Sequence, residues 1–162
     1  DGRKYYLRDG ASAYQALRSF GLGITNADLL KIPIGVEPRA IIVDADADGL
    51  DDYLEEGVGT SSGNRDTDGD GVGDKDEIVS GRNPLGAGRQ VTSVALVNQL
   101  KGRIVLQVEG VGQAWYINPA DGRRYYMKDG DAAYQIMKYL SVGIADENLR
   151  KIEVGRLEHV SR

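Results

Sequence analysis

Two acidic segments near the centre of this chain carry the residues whose types and spacing could do chemistry. The first reads Asp44-Ala45-Asp46-Ala47-Asp48-Gly49-Leu50-Asp51-Asp52-Tyr53-Leu54-Glu55. The second reads Asp66-Thr67-Asp68-Gly69-Asp70-Gly71-Val72-Gly73-Asp74-Lys75-Asp76-Glu77. Counted from its first Asp, each segment places carboxylates at positions 1, 3, 5, 9 and 12 and Gly at position 6. That pattern suits a hard divalent cation. Ca²⁺ takes roughly six to eight oxygens at about 2.3–2.6 Å, drawn from carboxylates, backbone carbonyls and water. Position 7 (Leu50, Val72) would contribute only its carbonyl, which needs no particular side chain, and the Gly permits the sharp turn before it.

An EF-hand loop supplies calcium ligands at these same offsets, and two full matches in one chain imply two or more bound Ca²⁺. Mg²⁺ prefers strict octahedral geometry and retained water to a cage of carboxylates. Zinc and copper favour His and Cys, and neither segment contains either residue. Blocks of like charge often form solvated tails. Here Leu50, Leu54, Val72 and Ile78 fall where a loop-then-helix unit would bury them.

The net charge of −5 conceals a strong asymmetry. Residues 44–77 hold thirteen Asp or Glu against Arg65 and Lys75, so the segment is −11 and the remainder +6. Without a cation, repulsion within each loop should hold the middle open. The positive excess elsewhere is scattered and reads as no nucleic-acid site. There is no Cys, so neither disulfides nor thiol chemistry enter, and metal is the available source of rigidity. No apolar run approaches the roughly 18 residues of a membrane span. No charged-then-apolar leader opens the sequence, which therefore reads as a mature or excised portion.

The elements that position these loops form an internal repeat. Residues 1–35 align without gaps to 121–155, with sixteen of thirty-five positions identical at an offset of 120. Such repetition points to an array of like modules. Each copy predicts a strand (3–7, 123–127) after a DG turn. A helix follows, carrying Ala13, Tyr14, Leu17 and Phe20 in one copy and Ala133, Ile136, Met137 and Leu140 in the other. A glycine break follows at Gly21 and Gly23, or at Gly143. A shorter helix then carries Leu29, Leu30 and Ile32, or Leu149 and Ile152, with Thr25 or Asn26 as its cap. Ahead of the second copy, 92–101 predicts a helix ended by Gly102, and 104–109 with 113–118 predicts a hairpin. Together with 123–127 this makes a three-strand meander.

Two strand-plus-helix units thus share one hairpin, and one unit is left short of a strand. Residues 41–43, residues 156–160 or a strand from a neighbouring molecule are candidates to complete it. A cut from a longer array is the other explanation.

Residues 44–85 resemble the bacterial thrombospondin type 3 repeat. Gly59-Thr60 closes the first repeat, Asp66-Thr67-Asp68-Gly69-Asp70-Gly71 opens the second, and Gly81-Arg82-Asn83-Pro84 closes it. The resemblance implies Ca²⁺ held by Asp44, Asp46, Asp48, Asp52 and Glu55, and by Asp66, Asp68, Asp70, Asp74 and Glu77. The flanking unit looks like a module that recurs beside such repeats in bacterial cell-surface proteins. This implies an extracellular location and a structural use.

Other constellations are weaker. The single His159 stands in a polar tail with no base or nucleophile to pair with, and Asp129, Asp131, Asp146 and Glu147 fall at predicted helix starts, where capping explains them. An enzyme is not expected. The aromatic run Trp115, Tyr116, Tyr125 and Tyr126 is faintly similar to the aromatic hairpins of cell-wall choline-binding repeats. If half its rings face outward, it could bind a glycan of the cell wall.

The expectation is an α+β protein with an N-terminal module (1–39), a tandem calcium-loop connector (40–85) and a C-terminal module (86–162). It would serve as a calcium-rigidified stalk or fibre subunit that associates with like subunits or neighbouring repeats, joined head to tail by strand complementation of the incomplete first module.

Overall fold

A computed structural model describes residues 3–155. The chain is mixed α and β, built around a four-stranded sheet of order β1-β2-β3-β4. Helix α1 (Gly10–Phe20) leads into β1 (Leu22–Ile24) and α2 (Asn26–Leu29). The connector carries α3 (Asp52–Val58) and α4 (Asp74–Ser80). After α5 (Val94–Leu100) come β2 (Ile104–Gln107), β3 (Ala114–Ile117) and β4 (Arg124–Met127), then α6 (Gly130–Leu140) and α7 (Asp146–Arg150).

The predicted meander forms as β2-β3-β4, with antiparallel pairs Val105↔Trp115 and Trp115↔Tyr126. Alternation along the strands divides its side chains between two faces. Val105, Trp115, Ile117 and Tyr126 pack with Ile24, Leu29, Ile32, Val97 and Leu100 in one cluster. Tyr125, Met127 and Ala114 pack with Ala133 and Ile136 of α6 in a second. Helix α5 forms as expected, with Ser93 as its N-cap and Gly102 at φ 74° just after it. Asp129 caps α6 by accepting from the Asp131 and Ala132 amides, and Thr25 caps α2.

Three expectations change. The Gly21–Gly23 break is a strand: β1 pairs in parallel with β2, Leu22 opposite Val105 and Ile24 opposite Gln107. Gly23 suits that position because a Cβ there would lie 2.8 Å from the Val108 side chain. The predicted strand 3–7 does not form and is reduced to a single bridge between Lys4 and Val154. It lacks the hairpin neighbour that makes 124–127 a strand. Residues 41–43 are not a strand either, and the amides of Ile42 and Val43 instead donate to the Asp51 carboxylate. Residues 156–160 and His159 lie outside the described residues.

Nor do the two copies stand apart across the connector, because α1 packs directly on α6. They also exchange backbone bonds in matched fashion. The Arg124 amide donates to Pro33 O and the Gly35 amide to Arg124 O, both at 2.8 Å. At the positions 120 residues away, the Lys4 amide donates to Glu153 O at 2.7 Å and the Gly155 amide to Lys4 O at 2.8 Å. In both places a glycine sits against the other copy's tyrosine, Gly35 on Tyr125 and Gly155 on Tyr5. A Cβ on Gly35 would meet the Tyr125 ring at 2.3 Å. Gly35→Ala should therefore destabilise the fold by about 1–3 kcal/mol, read as a lower urea midpoint with an unchanged slope.

Candidate metal centre

The two acidic segments fold as near copies. In the first, the amides of Asp48 and Gly49 donate to the Asp44 carboxylate at 3.2 and 3.0 Å, and the Leu50 amide donates to Asp48 at 2.7 Å. In the second, Gly69 and Gly71 donate to Asp66 at 2.8 and 2.9 Å, and Val72 donates to Asp70 at 2.8 Å. Gly49 and Gly71 both adopt positive φ (89° and 93°), as the sharp turn at position 6 requires. At position 4 the second loop has Gly69 at φ 75°, but the first holds Ala47 at φ 58°, an unusual conformation for a residue with a Cβ.

These turns gather the carboxylates of Asp44, Asp46 and Asp48 within 4.8 Å of one another, and those of Asp66, Asp68 and Asp70 likewise. Either trio could hold a metal ion. The residues at position 12 arrive from the helices. Glu55 on α3 is 1% exposed and Glu77 on α4 is 2% exposed. Neither Glu55 oxygen has a hydrogen-bond partner, nor do Glu77 Oε2, Asp46 Oδ2 and Asp48 Oδ2. A buried carboxylate without a partner is costly unless a cation meets it, so the donor set fits an oxygen-seeking divalent ion. Burial, reinforced by the charges of Asp46, Asp48, Asp52 and Asp74, pushes Glu55 up to about 7. Burial raises Glu77 as well, helped by Asp68, Asp70 and Asp74.

The residues at position 9 are arranged differently from the trios. Asp52 accepts from the Ala45 amide at 2.9 Å. Both Asp74 oxygens are engaged by Thr67, one by its amide at 2.9 Å and one by its hydroxyl at 2.6 Å. These two carboxylates thus brace the loop entry, as Asp44 and Asp66 brace the turn by accepting amides on both oxygens. Leu50 is fully buried and Val72 half-buried, so the position-7 side chains anchor the loops to differing degrees.

The loops also clamp each other. The Arg65 guanidinium donates to the carbonyls of Asp46 and Ala47, and Lys75 Nζ reaches Asp48 O at 3.3 Å. Beneath them Leu50 and Ile78 pack on Ile34, with Val36, Leu54 and Val58 around them. The cross-loop cations are what spacing alone did not reveal. Arg65 and Lys75 are the only basic residues in the acidic stretch, and that isolation was the available signal.

The aromatic run offers no open platform. Trp115, Tyr125 and Tyr126 are buried and Tyr116 is half-buried. The Trp115 indole donates to Gln107 Oε1 at 2.9 Å, and the Arg124 guanidinium lies 4.7 Å from its ring centre. Among the described residues, no helix is long and apolar enough to cross a membrane. In comparisons with known proteins, no family model, no curated protein and no solved structure matches the chain.

Two outcomes follow from the buried Glu55. Glu55→Gln should weaken divalent-ion binding by about 10- to 100-fold and yet stabilise the ion-free chain above about pH 7, where the unpartnered buried carboxylate is charged. Calorimetric titration and ion-free urea melts measure the two effects. The pH dependence has a definite sign. In the ion-free folded state Glu55 holds its proton to about 7, against an ordinary 4.5. Its favourable contribution is therefore complete below the unfolded value and lost as pH rises through about 7. An ion that needs the carboxylate should bind about tenfold more tightly at pH 8 than at pH 6, which the same titration at the two pH values checks.

Proposed function

We propose that this chain is an extracellular, calcium-binding structural protein of a bacterial cell surface and no enzyme: a subunit of a stalk or fibre that two or more Ca²⁺ make rigid. The observation that carries this reading is the Glu55 carboxylate, buried with both oxygens unpartnered and within the field of Asp46 and Asp48. In the second loop Glu77 is likewise buried, with Oε2 unpartnered. Calcium suits these sites through hard oxygen ligands at positions 1, 3, 5, 9 and 12 and a position-7 carbonyl.

Rigidity comes from coupling. Bound ion favours only the folded loops, and those loops share the Ile34–Leu50–Ile78 cluster. Ordering them locks the connector onto the joined pair of repeat copies, so that the subunit becomes one block. Its partners on this reading are like subunits or neighbouring repeats, engaged by strand complementation. The rival reading, a cell-wall glycan module, needs outward aromatic rings around Trp115, and burial of that ring counts against it.

Sedimentation velocity in millimolar Ca²⁺ and in excess chelator tests the proposal. Large species that disperse in chelator are expected if calcium-ordered subunits join one another. A monomer that only compacts with calcium would leave a rigid spacer without self-assembly. Identical profiles in both conditions would remove the calcium reading altogether. Trp115→Ala tests the rival: a loss of about 3–5 kcal/mol in stability marks a core ring, whereas a stable variant would reopen the glycan reading.

A further inference from the structure

We infer that the second half of the internal repeat is a sheet frame that receives a β-hairpin from a neighbouring repeat unit, seated between residues 142–144 and residues 4–7. This rests on the structural reading above and specifies where and with what the subunit joins.

The repeat relation supplies the warrant. In the filled half, β1 and β4 are the outer strands and the β2–β3 hairpin lies between them. Shifted by 120 residues, β1 (Leu22–Ile24) becomes 142–144, and β4 (Arg124–Met127) becomes 4–7. The rest of this second frame follows the same pattern. The Lys4–Val154 bridge reproduces the Arg124–Ile34 bridge with equivalent donors and acceptors. Gly155 rests on Tyr5 as Gly35 rests on Tyr125. Lys4 Nζ also donates to Leu149 O at 2.5 Å, tying 4–7 to α7. Among the described residues, no strand pairs with 142–144.

Side chains agree with the backbone. Ile24 is 6% exposed, while its counterpart Ile144 is 48% exposed. Tyr126 is 8% exposed against 82% for Tyr6. The apolar character is retained at positions that have lost their cover. In the filled half, the cover for Ile24 and Tyr126 comes from Val105, Trp115 and Ile117 of the hairpin. The ligand is therefore a β-hairpin with that inward face, adding in parallel to 142–144 through main-chain bonds.

Stoichiometry identifies its source. Among the described residues there are two frames and one such hairpin. A copy that lent its own hairpin would open as much sheet as it closed, so the hairpin comes from a like subunit or neighbouring repeat whose hairpin is not already seated in a frame of its own.

Fusing a second copy of residues 90–120 directly ahead of Asp1 reproduces the junction that precedes Asp121 and supplies the hairpin at high effective concentration. Amide exchange at 142–144 should then slow about 100-fold or more, while exchange at Leu22–Ile24 stays as it was. Adding Ile144→Asp to the fusion should restore fast exchange at 142–144 alone. Unchanged exchange at 142–144 in the fusion overturns the proposal. If the fusion does not fold, register decides instead. The chain has no cysteine, so Gly143→Cys places a unique thiol, and a Cβ on Gly23 would lie against the Val108 side chain in the filled half. A peptide of residues 103–118 carrying Val108→Cys should crosslink to it in preference to one carrying Gln107→Cys. No crosslink, or equal yields, overturns the proposal. Both measurements are read in calcium and in chelator. Protection or crosslinking that persists in chelator upholds the hairpin site even where calcium dependence fails.

Discussion

The Glu55 carboxylate is buried beside Asp46 and Asp48 on the same short helix whose Leu54 and Val58 pack into two apolar clusters. The helix cannot place one set of side chains without the other. Burial of Leu54 and Val58 draws α3 onto the core, and that movement drives an acid into a pocket of like charge. The apolar contacts favour the closed connector while the carboxylates oppose it, and an ion reverses only the second effect. On the proposed reading calcium therefore acts on packing through the loops. The Arg65 and Lys75 contacts to loop carbonyls give partial compensation without it, but they reach the backbone and leave the buried carboxylates unmet.

The connector also sits at a decisive place in the topology. β1 and β2 are parallel neighbours, and a parallel pair needs a long crossover between its strands. Here the crossover contains α2, both acidic loops and α5. Closing so long a link costs chain entropy that grows slowly with length, and the apolar contacts of Leu50, Leu54, Val58 and Ile78 offset part of it. The edge strand on one side of the sheet and the acidic loops are thereby a single mechanical unit. The bridge from Ile34 to Arg124 brings the same link back to the opposite edge of the sheet. The first repeat copy thus flanks the β2-β3-β4 meander on both sides.

Much of this was legible in the residues. The loop turns, the helix caps at Thr25, Ser93 and Asp129, and the meander 104–127 follow from local chemistry: Asx-type acceptors, apolar alternation and glycine placement. What local chemistry does not encode is which copy serves which. The peptide at 3–7 is nearly the same as that at 123–127, yet only the latter is a strand, because a hairpin stands beside it. Conversely Gly21-Leu22-Gly23 reads as a helix terminator and becomes a strand because β2 offers an edge. Strand identity here is set by neighbours more than by propensity. The position-9 acids teach a similar lesson at the site. Spacing puts Asp74 among the ligand candidates but does not show that it also accepts the amide and the hydroxyl of Thr67, which braces the loop.

The two loops are not equivalent in their surroundings, and this bears on how calcium would act. Asp44, Asp46 and Asp48 are half-buried, whereas Asp68 and Asp70 are exposed. Ala47 holds a left-handed backbone where the second loop has Gly69. The first loop is therefore the more strained and the more desolvated, and it leans on the second through Arg65 and Lys75. Extracellular calcium modules bind at about 10⁻⁴–10⁻³ M. In that range the second loop, with more water and less strain, fills first on the proposed reading. Its filling fixes α4, which carries Lys75 and Ile78, and presents both to the first loop. On the proposed reading, occupation of the first loop then meets the buried Glu55 carboxylate and favours the packing of Leu50 and Ile78 on Ile34.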